Sequence, residues 1–212
     1  VVAAAIAAAL HARGAPVAAW KPVVTGLDEP RQDGWPADHE LLASAAGGNP
    51  RDVTTATFGP AVSPHLAAEL AGRMLSLDVL VRAARGVAAA AGDGAVLVAE
   101  GVGGLLVPFG DFMVRDLAVA LALPLVVAAR PGLGTINHSL LTIESARAAG
   151  LDVRAVVLTP WPAEPTVMQQ SNRATIERLG EVAVATLAPT TAAAGDLARA
   201  GAAMAFERWL GP

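Results

Sequence analysis

One lysine, Lys21, stands in this chain against fourteen arginines. A compact ammonium with three rotatable donors can fill a point-charge site that a planar guanidinium cannot. Lys21 follows the apolar run 15–20, and Pro22, Val23, Val24, Thr25 and Gly26 come after it. It is either a ligand-facing cation at a strand end or a lysine left by chance on a surface loop. A second candidate is Glu100-Gly-Val-Gly-Gly104, directly after the apolar run 95–99. A carboxylate there, with glycines that let a ligand approach, suits Mg²⁺ or the phosphate side of a nucleotide. The alternative is a Gly-rich turn whose Glu caps a neighbour.

Arg130-Pro-Gly-Leu-Gly-Thr-Ile-Asn-His138 joins a strand to a helix. Gly132 and Gly134 free backbone N–H groups just before a helix N-terminus, an arrangement that binds carboxylate or phosphate. The spacing approaches a dinucleotide fingerprint. Asn137 replaces its third Gly, however, and no acidic residue ends the following strand, so a Rossmann site is not expected. Asn137 is a helix-start residue or a ligand donor. Asp38 opens a helix, either as its N-cap or as a metal ligand delivered by the polar, Pro/Gly-bearing loop 28–36, which reads as mobile. Ser63-Pro-His65 reads as another helix start, with Ser capping and Pro in the first turn. His65 and His138 read as packed or capping residues, since no two histidines have metal-ligand spacing.

These segments need a frame. Short Val-rich runs at 17–20, 95–99, 125–129, 153–158 and 182–187 are continuous rather than alternating, as in strands buried on both faces. Helical patterns fall at 1–13, 38–46, 64–71, 77–91, 114–121, 136–149, 168–179 and 195–210. The alternation predicts a parallel α/β sheet covered by helices, with right-handed crossovers. Ligands in such sheets sit beyond the carboxyl ends of the strands, where segments 21–26, 100–104, 130–138 and 159–165 fall. Length suits one domain, 1–212, with no repeat or linker. No apolar run reaches the ~18–20 residues of a membrane span, and no signal peptide is evident. Without cysteine there is no disulfide framework and no thiolate metal site. A net charge of −4 gives no footprint for nucleic acid. The chain reads as cytoplasmic.

Together, Lys21-Pro-Val-Val-Thr-Gly26, Asp38 opening the next helix, Ser63-Pro-His65, Glu100-Gly-Val-Gly-Gly104 and Gly132-Leu-Gly-Thr-Ile-Asn-His138 resemble the dethiobiotin synthase family. These are P-loop-type enzymes of biotin synthesis, and the likeness spans essentially all 212 residues. It implies a P-loop NTPase-like fold, a parallel sheet with helices on both faces. It implies ATP-dependent closure of 7,8-diaminononanoate with CO₂ to a cyclic urea, through a carbamate and its phosphoric anhydride. Lys21 would be the catalytic cation, and Thr25 would hydrogen-bond the carbamate. Asp38 and Glu100 would hold Mg²⁺. With Gly103, Thr159 and Pro160 they would line the nucleotide site. Gly132, Leu133, Gly134 and Asn137 would bind the substrate carboxylate, in the family across a homodimer.

Two departures accompany the likeness. The family begins with a strand and a G-x-x-x-x-G-K-[ST] loop, and Val1 reads as the residue after that Lys-Thr pair. Roughly 15–20 residues, with the first core strand and the phosphate loop, are expected to be missing. The chain as written is therefore expected to bind nucleotide poorly and not to catalyse the reaction. In the second departure, Thr159 stands where the family often has Asn against the adenine edge. A hydroxyl offers less than an amide's donor and acceptor, so relaxed base choice is expected. The competing class is a nucleotide-switched, partner-binding P-loop ATPase. Such a protein would not need the Lys21–Thr25 pair.

Overall fold

A computed structural model describes residues 1–30 and 34–210. Positions 31–33, in the expected mobile loop, lie outside the described residues. The order begins α1 (Val2–Ala12), β1 (Val17–Val24), α2 (Asp38–Ala46), α3 (Pro50–Val53) and β2 (Thr54–Thr57). It continues α4 (Pro64–Leu70), α5 (Leu77–Ala90), β3 (Val96–Ala99), α6 (Val114–Leu121) and β4 (Leu125–Ala129). It closes α7 (Thr135–Ala148), β5 (Val153–Leu158), α8 (Val167–Gly180), β6 (Ala183–Thr186), α9 (Ala194–Ala202) and a 3₁₀ turn (Phe206–Trp209).

All strand pairs are parallel, in two ladders ordered β2-β1-β3 and β4-β5-β6. Alternate residues feed opposite faces, as the two-residue period of a strand requires. On β5, Ala155 and Val157 pack with α1 and α9, while Val156 and Leu158 pack with α7 and α8. On β1, Ala19 faces α1 and Trp20 joins α4 and α5. The cluster built on α1 takes in Val98 of β3 and Val126 of β4, so one helical layer covers both ladders. This is the expected α/β architecture with helices on both faces.

Three expectations change. Strand β1 does not stop at Trp20 but runs to Val24, so Lys21 lies within it. The strand pairs with β3 over residues 17–20 and with β2 from Lys21 onward. Pro22 thus sits just past the change of partner, where a missing N–H is tolerated. Strand β2, a short Thr-rich segment after the one-turn α3, has no apolar run to announce it. The single helix expected over 195–210 breaks after Ala202, and Ala205 takes a left-handed φ of 49° before the 3₁₀ turn.

Helix α1 has seven alanines among its eleven residues and buries eight residues. Alanine gives high helix propensity and a thin cross-section, which lets α9 approach closely. A Cβ on Gly201 would lie 2.0 Å from the Ala5 carbonyl oxygen and 2.9 Å from the Ala9 Cβ. Gly201→Ala is therefore expected to destabilise the protein by about 1–3 kcal/mol through overpacking. A denaturation midpoint unchanged from the parent would show that the helices part without cost.

Candidate active site

Lys21 and Glu100 are neighbours because β1 and β3 are parallel and in register. Trp20 pairs with Ala99, and the Glu100 N–H donates to the Trp20 carbonyl at 2.8 Å. One residue further along each strand lie the two charged side chains. Asp38 reaches the same point as the first residue of α2. It does not cap that helix. The N-cap position is Ala37, whose N–H donates to Glu40 Oε2 at 3.0 Å. The capping alternative for Asp38 is thus not what the fold uses, and its carboxylate turns to Lys21.

The Lys21 ammonium donates to Glu100 Oε1 at 2.6 Å and to the Gly101 carbonyl at 3.1 Å, and pairs with Asp38 Oδ2 at 2.7 Å. Three acceptors match the three N–H bonds of an ammonium. The lysine is 5% exposed. Burial alone would depress its pKa. The Glu100 and Asp38 carboxylates more than offset this and hold the ammonium above the usual lysine range. Two carboxylates against one ammonium leave the cluster with one net negative charge, which favours a further cation.

No group of three or more His, Asp or Glu side chains could hold a metal among the described residues. A divalent ion would have two carboxylates here, with phosphate oxygens and water to complete its shell. That donor set fits Mg²⁺, a hard cation that keeps waters and binds through one or two carboxylates plus substrate phosphates.

The other expected residues lie at neighbouring strand ends. Thr25 is half-buried, one residue past β1. Gly103 has a φ of 68°, and a Cβ there would meet Val107 at 2.9 Å, so the turn after Glu100 requires glycine. The Thr159 N–H donates to the Ala129 carbonyl at 2.9 Å, and the Thr159–Pro160 bond is cis. Segment 132–137 opens α7 with Gly134 at a φ of 91° as N-cap, and Leu133 is 92% exposed. Among the described residues no hydrogen bond or ion pair joins that turn to the Lys21 cluster. Ser63 stands at the N-cap of α4 with Pro64 following, but its hydroxyl pairs with His65 Nδ1 at 3.0 Å and makes no capping bond.

A profile described as an AAA domain matches residues 1–193. The ATP-dependent dethiobiotin synthetase of Rhodococcus erythropolis is 36% identical over 192 residues, covering 89% of this chain and 82% of its own. That of Anaeromyxobacter dehalogenans is 40% identical over 181 residues, covering 84% and 78%. That of Mycobacterium avium is 36% identical over 208 residues, covering 95% and 88%. The chain belongs to the dethiobiotin synthetase family. Among solved structures, a ParA-family ATPase from Chlorobium tepidum covers 95% of this chain and 85% of its own. Its TM-score of 0.46 and 10% identity are too low to build on.

Two partners were not evident from sequence in this dethiobiotin synthetase relative. One is the Gly101 carbonyl, which completes the Lys21 shell. The other is Asn172 of α8, which bonds the turn before α7. Asn172 shares a buried stripe with Ile176 and Gly180 at four-residue spacing. A lone amide in such a stripe is the signal that could have marked it.

Proposed function

We propose that this protein, with the family's phosphate loop in place, carries dethiobiotin synthetase activity, converting 7,8-diaminononanoate, CO₂ and ATP to a cyclic urea, ADP and phosphate. The observation that carries the reading is the buried Lys21 ammonium, fixed between Asp38 and Glu100 at the carboxyl ends of β1 and β3. One substrate amine adds to CO₂ and loses a proton, giving a carbamate. A carbamate oxygen displaces ADP from the γ-phosphorus. The second amine attacks the carbamoyl carbon, phosphate leaves, and the ring closes. Lys21 offsets the negative charge shared by carbamate and phosphoryl groups, in a position set before the reaction begins. Thr25 donates to the carbamate. Asp38 and Glu100 would hold Mg²⁺, which would neutralise phosphate charge when bound. Gly103, Thr159 and Pro160 line the nucleotide's path along the strand ends.

The turn 132–137 takes the substrate carboxylate, supplied across a homodimer. Support comes from its exposed Leu133 and from Leu141, 56% exposed on the following helix, two large apolar side chains that a partner would cover. Sedimentation of a monomer would count against the dimer. A cytoplasmic location accords with helices of which none, among the described residues, is long and apolar enough to cross a membrane. Partition of the protein into a membrane fraction would oppose it.

The family's phosphate loop belongs to the same reading. Strands β3 and β4 each keep one edge without a ladder partner among the described residues, and Ala128 on β4 is exposed. The reading assigns a further parallel strand, bearing that loop, to these edges. Slow amide exchange along both edges in the 212-residue chain would oppose it.

The deciding experiment is ring closure by the protein bearing that loop, assayed with ATP, CTP and GTP in turn. Cyclic urea should form with release of ADP and phosphate when ATP is the donor, and CTP and GTP should also serve because Thr159 replaces an amide. Phosphate release that does not depend on the diamine would overturn the activity. A thousandfold preference for ATP would overturn only the relaxed base choice.

A further inference from the structure

We infer that Asn172 is a positioning residue that aims the 132–137 turn at a carboxylate. The inference rests on the proposed reading that this turn binds the substrate's carboxylate. Asn172 is 6% exposed, and its Nδ2 donates to two successive carbonyls, Pro131 at 3.1 Å and Gly132 at 3.2 Å. In a trans peptide the carbonyl and the following N–H point in opposite directions. Drawing both carbonyls inward onto α8 therefore turns the N–H groups of Gly132 and Leu133 outward. Neither has an acceptor among the described residues. Gly134, in the left-handed region, then swings the chain into the fourteen-residue α7, whose first N–H groups face the same end. The result is a concave run of donors at a helix N-terminus, suited to an anion.

A second observation points to the same end of α7. The hydroxyls of Thr135 and Ser139 lie one turn apart on this helix, are 6% and 1% exposed as residues, and have no hydrogen-bond partner among the described residues. Buried polar groups rarely stay unpaired without a functional reason or a missing partner. The amide of Asn172 has two N–H bonds on one atom, which is what two adjacent carbonyls need. An aspartate has none, and an alanine leaves the Pro131 carbonyl unheld and the Gly132 carbonyl with only its 3.3 Å bond from the Thr135 N–H.

The test compares wild type with Asn172→Ala and Asn172→Asp, using 7,8-diaminononanoate and its uncharged primary amide as substrates. Each variant should raise KM for the carboxylate substrate about tenfold, as expected for loss of well-aimed donors to a charged group. Its kcat should hold, and its KM for the amide should stay at the wild-type value. Equal losses with both substrates, or a fall in kcat alone, would make Asn172 a structural residue and overturn the inference. If wild type itself does not favour the carboxylate over the amide, the turn's role in substrate binding falls first and the inference with it. Should both variants fail to fold, Asn172→Ser, which keeps one donor, is expected to show an intermediate KM. A wild-type KM there would refute the positioning role.

Discussion

Replacing Lys21 with arginine is expected to lower kcat about 10²- to 10³-fold, the usual loss when one preset transition-state charge contact is removed. Charge is retained in this variant, so geometry is what fails. The ammonium is enclosed by Glu100, Asp38 and the Gly101 carbonyl at 2.6 to 3.1 Å, and a planar fork cannot occupy that point. Lys21→Ala should lose at least as much. Steady-state kinetics at saturating diamine and ATP measure both, and near-normal turnover by the arginine variant would refute the assignment. The pH behaviour follows from the raised pKa of Lys21. Stability from its pairing is fully present below the unfolded lysine value of about 10.4 and is lost as pH rises through the higher folded value. Unfolding measured from pH 6 to 9 should show no inflection from this group.

Glu100→Gln should destabilise the protein more than any other neutralisation at the site. Removing one partner of a buried ion pair costs about 3–5 kcal/mol, because the other charge is left buried and unpaired. Lys21 keeps Asp38, and the Glu100 side chain is 25% exposed, so a loss toward 3 kcal/mol or somewhat below is expected. Asp38→Asn should cost about 1 kcal/mol or less, since that carboxylate is 54% exposed and screened by water. Urea midpoints test the order, and a larger loss for Asp38→Asn would invert the picture of which carboxylate anchors the lysine. Both variants should also weaken Mn²⁺ binding followed by electron paramagnetic resonance. Unchanged affinity in both would remove the proposed metal role while leaving the ion cluster intact.

Five of the six strands among the described residues were legible as runs of Val and Ala because residues buried on both faces of a parallel sheet carry no polar alternation. Helix α2 was legible to the residue, and so was α6. Strand β2 was not, because Thr54-Thr-Ala-Thr57 carries little apolar signal and owes its form to the ladder with β1. The lone lysine, the carboxylate after an apolar run and the acid opening a helix were visible as types and positions. Their meeting was implied only by the family likeness and not by any local pattern, because it depends on the register of strands whose paired residues are 79 positions apart.

The sequence by itself determined the alternation of strands and helices, the family likeness, and Lys21 as a singular cation, since these depend on local composition and period. Tertiary structure alone decided that β1 runs on through Lys21, that Asp38 serves the lysine rather than its own helix, and that Asn172 grips the turn before α7. In each case local chemistry allowed two outcomes. A capping bond and an ion pair both satisfy Asp38, and a buried asparagine can take any carbonyl within reach. The choice fell to the partner that packing brought closest, and nothing within one segment's own residues encodes that distance.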